Sequence, residues 1–311
     1  AAATIDGLIR LARQIADADG GFLGLFGRVS DKEDEAVAEL AGRLRADATM
    51  TLPPAAALLA SLDEAAAAPE PVQLLPTAET PATRVLLGSP PAEAGRFSNE
   101  GPQVEARISA LFVDKVPVTQ RLYRDVIGQN PSYRVNDLAP VTEVSWLDAL
   151  LYCNRLSTVA GLTPCYAIDE SEVAWTRGAD GYRLPTEAEW EAVARAGTTG
   201  AYACAADPAV VAEHAWFGRG LSEGPYPVAE KHPNPWGLYD VHGNVWEWCW
   251  DVYAEGPAAS SASACGLGGL RTARGGCYFD PLRMARSASR YAFSWSERSS
   301  RLGFRCVRDR R

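Results

Sequence analysis

Along this chain the period of the hydrophobic positions changes from segment to segment. In the first 68 residues it is helical, with Ile5, Leu8, Ile9, Leu11, Ala12 and Ile15 recurring every three to four positions. Gly20-Gly21 ends that run, and Ser30-Asp-Lys-Glu33 reads as a capping box in which Ser30 accepts from the backbone and Glu33 reaches back. The stripe Val37, Leu40, Ala41, Leu44 follows. Pro53-Pro54 breaks it, and Ala55–Ala68 predicts one more helix. Residues 1–68 therefore read as a small helical bundle or docking arm. Residues 69–83, rich in Pro, Thr and Glu, read as an extended linker. A second domain then starts near Arg84-Val-Leu-Leu-Gly88 and covers 84–311. Within it Val104–Val116 alternates like a strand pair, while Thr119–Ile127 and Trp146–Val159 carry helical spacing. Arg183-Leu-Pro-Thr-Glu-Ala-Glu-Trp-Glu191 predicts a further helix, with Pro185 at N1, Thr186 near the start and acids in the first turn. Beyond residue 197 Gly, Pro and Trp are frequent enough to predict loops, and there is no internal repeat.

Composition narrows the function more than the fold. A formal net charge of −9 with a pI near 5.0 lacks the basic footprint of a nucleic-acid binder. No window holds eighteen apolar residues without a charge, so no membrane span is predicted. The opening Ala1-Ala-Ala lacks the basic and apolar regions of a signal peptide, which leaves a cytoplasmic expectation with export open. The seven cysteines, at 153, 165, 204, 249, 265, 277 and 306, form no C-x-x-C pair and fit reduced thiols better than a disulfide framework. The nine Trp and eleven Tyr cluster after residue 120, which predicts a large aromatic core or a large aromatic surface there.

The chemistry-bearing blocks follow one another from the middle of the chain to its end. They are Val144-Ser-Trp-Leu-Asp-Ala149 with Tyr152-Cys-Asn-Arg155, Gly161-Leu-Thr-Pro-Cys-Tyr166 and Tyr182-Arg-Leu-Pro-Thr-Glu-Ala-Glu-Trp-Glu191. After these come Gly237-Leu-Tyr-Asp-Val-His-Gly-Asn-Val-Trp-Glu-Trp-Cys249, Arg274-Gly-Gly276 and Leu302-Gly-Phe-Arg-Cys306. Strand alternation would send Trp246 and Trp248 to one side and Glu247 to the other. Arg183, Arg274 and Arg305 are natural partners for buried acids such as Glu189 and Glu247. In order and spacing the blocks resemble the formylglycine-generating enzyme (sulfatase-modifying factor) family over roughly residues 84–309. The resemblance implies an α+β, C-type-lectin-like domain with a small antiparallel sheet, two helices and much ordered irregular structure. It also implies a structural calcium on the turn before the Trp-Glu-Trp block, held by Asp240, the backbone oxygens of Gly243 and Val245, and Glu247. The other reading of that turn is one tied by hydrogen bonds alone. A second calcium site of the family departs from its pattern here, at Glu213-His-Ala-Trp216.

The family's oxidases bind copper(I) with two cysteines five residues apart, as soft thiolates select. This chain has Cys277 and then no cysteine until Cys306, and the two copper positions fall near Asp280 and Ala285. No copper is expected, and formylglycine-generating oxidation is the alternative rather than the leading reading. The histidine-bearing helices of iron sulfoxide synthases are missing too, because His214, His232 and His242 all lie in the second domain. The segment between Gly276 and Leu302 instead resembles the diversified region of retroelement variable proteins. Its candidate ligand-binding runs are Cys277, Tyr278 and Phe279; Tyr291, Ala292, Phe293 and Ser294; and Ser299, Ser300 and Arg301. Aromatic rings give rigid contact area, serines adaptable hydrogen bonds and Arg301 a charged anchor. Tyr278 reads equally well as core. The expected function is non-enzymatic binding of a protein or cell-surface ligand, with self-association or docking through the N-terminal helices. An inert accessory or sensor module is the other alternative.

Overall fold

A computed structural model describes residues 72–169, 171–258 and 264–310. The chain divides into two compact units, Ala1–Glu70 and Pro71–Arg311. The helical reading of residues 1–68, with its Ser30 capping box and docking role, lies outside the described residues.

The second unit is α+β. Four helices, α1 (Gln120–Ile127), α2 (Trp146–Val159), α3 (Glu187–Arg195) and α4 (Pro208–His214), are set among four small sheets. The strands in chain order are β1 (Thr77–Thr80), β2 (Thr83–Leu87), β3 (Val104–Ile108), β4 (Leu111–Asp114), β5 (Tyr166–Ile168) and β6 (Glu172–Trp175). They continue as β7 (Trp246–Val252), β8 (Ala264–Gly266), β9 (Leu270–Arg274), β10 (Arg290–Ser294), β11 (Leu302–Gly303) and β12 (Val307–Asp309). The sheet orders are β1-β4-β12, β10-β9-β7-β11, β2-β3 and β5-β6-β8. All pairings are antiparallel except β11 with β7.

Two expectations change here. The supposed linker 69–83 contributes β1, which pairs Thr77 with Asp114 and Thr80 with Leu111 and buries Ala78 and Thr80. Pro76 and Pro81 bracket that strand rather than interrupt it, because a proline outside the ladder costs no sheet hydrogen bond. The folded domain therefore begins well before Arg84. The alternating stretch Val104–Val116 does form two strands, but they belong to different sheets, β3 beside β2 and β4 between β1 and β12.

The helices start where side chains can cap them. Thr119 accepts from the Leu122 amide, and Ser145 and Thr186 form capping boxes with Asp148 and Glu189. Thr186 is thus the N-cap of α3, and Pro185 lies before the cap rather than at N1. Helix α4 went unpredicted although Asp207-Pro208 marks its start, with the Asp207 side chain accepting from the Ala209 amide.

The sheet β10-β9-β7-β11 has two chemically distinct faces. Trp246, Trp248 and Trp250 point to one side and join Trp146, Tyr166, Ala273 and Phe293 in the larger core. Trp146 and Trp250 lie 5.4 Å apart, and the Trp248 indole donates to the Val144 carbonyl at 3.0 Å. Glu247, Arg274 and Arg290 are carried on the other side and pair with groups of α3 and the C-terminal segment. The predicted alternation of indoles against carboxylate is what the strand shows.

Candidate functional site

The site rests on the ionic face. Arg305 grips Glu247 with two bonds of 2.7 Å, Nε to Oε2 and Nη2 to Oε1, and the Trp190 indole donates to Oε2 at 2.7 Å. Arg290 holds both oxygens of Glu187, Arg274 donates to Glu191, and Arg183 holds both oxygens of Glu189. Burial works to lower Arg305, but the charge of Glu247 and its hydrogen bonds more than offset this and hold the guanidinium above its ordinary value. The three arginines expected to partner buried acids do so: Arg183 meets Glu189, Arg305 meets Glu247 and Arg274 meets Glu191.

Of the four positions assigned to calcium, Asp240, Gly243 and Val245 lie on one turn and Glu247 just after it on β7. Their carboxylates, however, are taken up by protein donors. Asp240 accepts from the Ala229 amide at 2.9 Å and from Asn244 Nδ2 at 3.2 Å, and Glu247 is filled by Arg305 and Trp190. Gly243 stands at φ +98°, where a Cβ would meet the Trp216 carbonyl oxygen at 2.0 Å. Arg305 and Trp190 together make three hydrogen bonds to Glu247, so the arrangement present is the hydrogen-bonded turn. Among the described residues no group of three or more His, Cys, Asp or Glu is placed to share a metal.

His242, on the same turn, is also structural. The Ala203 amide donates to its Nε2 at 3.0 Å, and Nδ1 lies 2.8 Å from the Ala285 carbonyl, so the ring is neutral with its proton on Nδ1. Burial pushes it down to about 4 from 6.5. The unfolded chain takes up this proton first, so the stability His242 contributes is complete above pH about 6.5 and is lost as the pH falls toward about 4. The urea midpoint should drop over that window and drop less in His242→Gln. Equal slopes would assign the acid sensitivity to other groups.

The C-terminal segment divides into anchors and presented side chains. Cys277 and Tyr278 are fully buried, and Phe293 is 8% exposed against Trp248. These three of the ten candidate ligand residues are corrected to core positions. The Cys277 thiol donates to Asp280 Oδ2 at 3.1 Å, and burial, with Asp280 adding to it, pushes the thiol up to about 12. That is the opposite of a reactive thiolate. The Tyr278 ring is covered by Gly224, where a Cβ would come within 2.8 Å of it, and its hydroxyl donates to the Leu221 carbonyl at 3.1 Å. The remaining candidates reach solvent. Phe279 and Tyr291 are exposed, and Ala292, Ser294, Ser299, Ser300 and Arg301 are partly so. Tyr291, 46% exposed, leans on Trp246 at 5.6 Å and on Phe293 at 4.9 Å. Edge strand β10 thus shows an aromatic ridge whose underside is the tryptophan core.

At the positions matched to copper, Asp280 accepts from the Trp246 indole at 2.7 Å, and Ala285 is buried. Cys306 lies 3.7 Å from Cys153, sulfur to sulfur, inside the core and bonded toward Asp114 rather than toward Cys277. No sulfur pair faces the surface segment. Sequence reasoning missed three exposed residues beside this segment, Tyr133, Val135 and Leu138, although the turn formers around them marked a loop.

Residues 71–310 match the family model of the sulfatase-modifying factor enzyme 1-like domain. The chain belongs to this family. Within it, the chaperone protein LppX of Paenibacillus barcinonensis is 34% identical over 182 residues, 47% of this chain and 64% of that protein. The formylglycine-generating enzyme of Streptomyces coelicolor is 33% identical over 190 residues, 55% of this chain and 52% of its own. The chain therefore spans less than two thirds of either relative. Among solved structures, Treponema denticola variable protein 1 shares the fold with a TM-score of 0.66 at 29% identity, covering 75% of this chain and 95% of that one. The family domain is thus confirmed, along with its α+β architecture and its likeness to a variable protein. Among the described residues no helix is long and apolar enough to cross a membrane.

Proposed function

We propose that this sulfatase-modifying factor domain binds a protein or cell-surface ligand without turning it over. Its surface is Phe279, Tyr291, Ala292, Ser294, Ser299, Ser300 and Arg301. We also propose that these positions are diversified, as in a retroelement variable protein. One observation carries the reading: the segment's residues sort into buried anchors and solvent-facing side chains on a scaffold that other residues hold. Cys277, Tyr278 and Phe293 join the core, while the ridge at Tyr291 stands over it. A rigid base with aromatic, serine and arginine side chains on top is the physics of a paratope. The likeness to a variable protein supports the subclass.

Two experiments test this reading. Sequencing the gene's locus should reveal a near-identical downstream repeat, differing only at adenines, beside a reverse transcriptase; a locus without that repeat removes the diversified subclass. Incubation with copper(I), oxygen and a cysteine-containing sulfatase peptide should leave the peptide thiol intact by mass spectrometry. Conversion of that thiol would overturn the binding assignment.

A further inference from the structure

We infer that the recognition surface extends onto the loop that follows α1, and that this loop selects a polypeptide segment carrying a carboxylate beside an apolar side chain. The inference rests on the binding reading above and names its class of partner. Its first support is an ordered loop that points large apolar side chains outward. Buried Gln120 ties the loop at several places. Its Oε1 accepts from Asn130 Nδ2 and from the Asn136 amide, each at 2.9 Å, and its Nε2 donates to the Arg134 carbonyl at 2.9 Å. Asn130 and Asn136 each accept a further amide, from Ser132 and Leu138, at 3.1 Å. On this fixed backbone Tyr133, Val135 and Leu138 are 83%, 76% and 60% exposed. Three large apolar side chains within six residues are out of place on a solvated loop unless something covers them.

Its second support is position. The Glu143 amide donates to the Ser299 carbonyl at 3.1 Å, and Arg298 donates to the Glu143 carbonyl at 2.9 Å, so the strand of chain leaving the loop runs beside the 299–301 turn. The chain leaving the loop and the 299–301 turn of the proposed surface therefore adjoin.

Its third support is charge. Arg134 has no carboxylate partner among the described residues, and the Arg301 contact is a long one, 4.0 Å to Asp280 Oδ1. The other oxygen of Asp280 is taken by Trp246 and Cys277. Asp137, the acid within the loop, is held at both oxygens by Arg124 at 2.7 and 3.0 Å. On a chain of net charge −9, two weakly compensated guanidiniums beside an apolar loop form a local exception that favours an acidic, apolar-flanked segment.

The test uses the full chain, immobilised, to pan a displayed library of random peptides. An enriched peptide is then titrated by fluorescence anisotropy. Enriched sequences should pair Asp or Glu with an aromatic or aliphatic neighbour. Arg134→Ala and the double variant Tyr133→Ser/Leu138→Ser should each weaken binding by about tenfold or more with Tm unchanged, as should replacing the peptide's acid by its amide. Arg84→Ala, an exposed arginine on β2, should change nothing. If Tyr291→Ala weakens binding while the loop variants do not, the surface proposed above stands and the loop is refuted. If neither weakens it, both readings fall. Enrichment of peptides lacking acids, or no enrichment at all, overturns the acidic class.

Discussion

Arg305→Met should lower the melting temperature by roughly 6–20 °C, the consequence of about 3–5 kcal/mol lost on a domain of this size. Both partners of the Arg305–Glu247 pair are fully buried, with two bonds of 2.7 Å between them. Arg305 also donates to the Asp114 carbonyl at 3.1 Å and the Tyr239 carbonyl at 2.9 Å, so one side chain joins β4, the Asp240 turn and β7. Removing it leaves the Glu247 charge in the interior with only the Trp190 indole as donor, together with two carbonyls short of a partner. Methionine fills similar volume, so the loss reports the charge rather than a cavity. Adding Glu247→Leu to Arg305→Met should recover a large part of the loss, because a buried pair replaced by apolar groups is often close to neutral. Calorimetry on the single and double variants checks both statements. A single variant melting within about 2 °C of the parent would mean that Glu247 finds water or another donor, and that the pair is not what holds the irregular loops.

The parts of this architecture readable from sequence were those set by neighbouring residues. Thr119, Ser145 and Thr186 mark helix starts because a cap acts within three residues, and Trp246-Glu247-Trp248 shows its two faces because a strand alternates. Arg183 with Glu189 is similarly local, six residues apart across one helix start. What could not be read depends on distant partners. Strand β1 is four residues of ordinary polar composition and becomes a strand only by lying against β4. Pro185 stands before the helix rather than at N1 because Thr186 supplies the capping oxygen and Leu184 has none to offer. Cys277 and Tyr278 are consecutive and both buried, which neither a strand nor a helix period predicts. The Tyr278 amide donates to the Asn244 carbonyl, the ring packs against Gly224, and Cys277 is tied to Asp280 at the thiol and the amide. Hydropathy likewise cannot separate the exposed Tyr133, Val135 and Leu138 from core residues, since the loop is fixed with them outward by side-chain bonds from Gln120, Asn130 and Asn136 to its backbone.

Those same contacts decide where the C-terminal segment tolerates change. Tyr278→Ala should cost about 3–5 kcal/mol, the range for removing a large buried aromatic. It would open a space under Gly224, break the edge-on contact with Tyr226 at 6.4 Å and leave the Leu221 carbonyl without its donor. By contrast, a chain carrying Phe279→Ser, Tyr291→Asn, Ser294→Asn, Ser299→Tyr and Arg301→Ser together should lose less than about 2.5 kcal/mol, because surface substitutions are usually within about 0.5 kcal/mol each. The backbone bonds of that region survive these changes: the Trp246 amide still donates to the residue 301 carbonyl, and Tyr291 still pairs with Ala273 across β10 and β9. Urea unfolding at constant m-value measures the two side by side. A five-position variant as unstable as Tyr278→Ala would show that the surface side chains help hold the domain together. A surface that must hold its fold together cannot be freely rewritten to meet new ligands, so that result would remove the physical basis for diversification, whatever the locus contains.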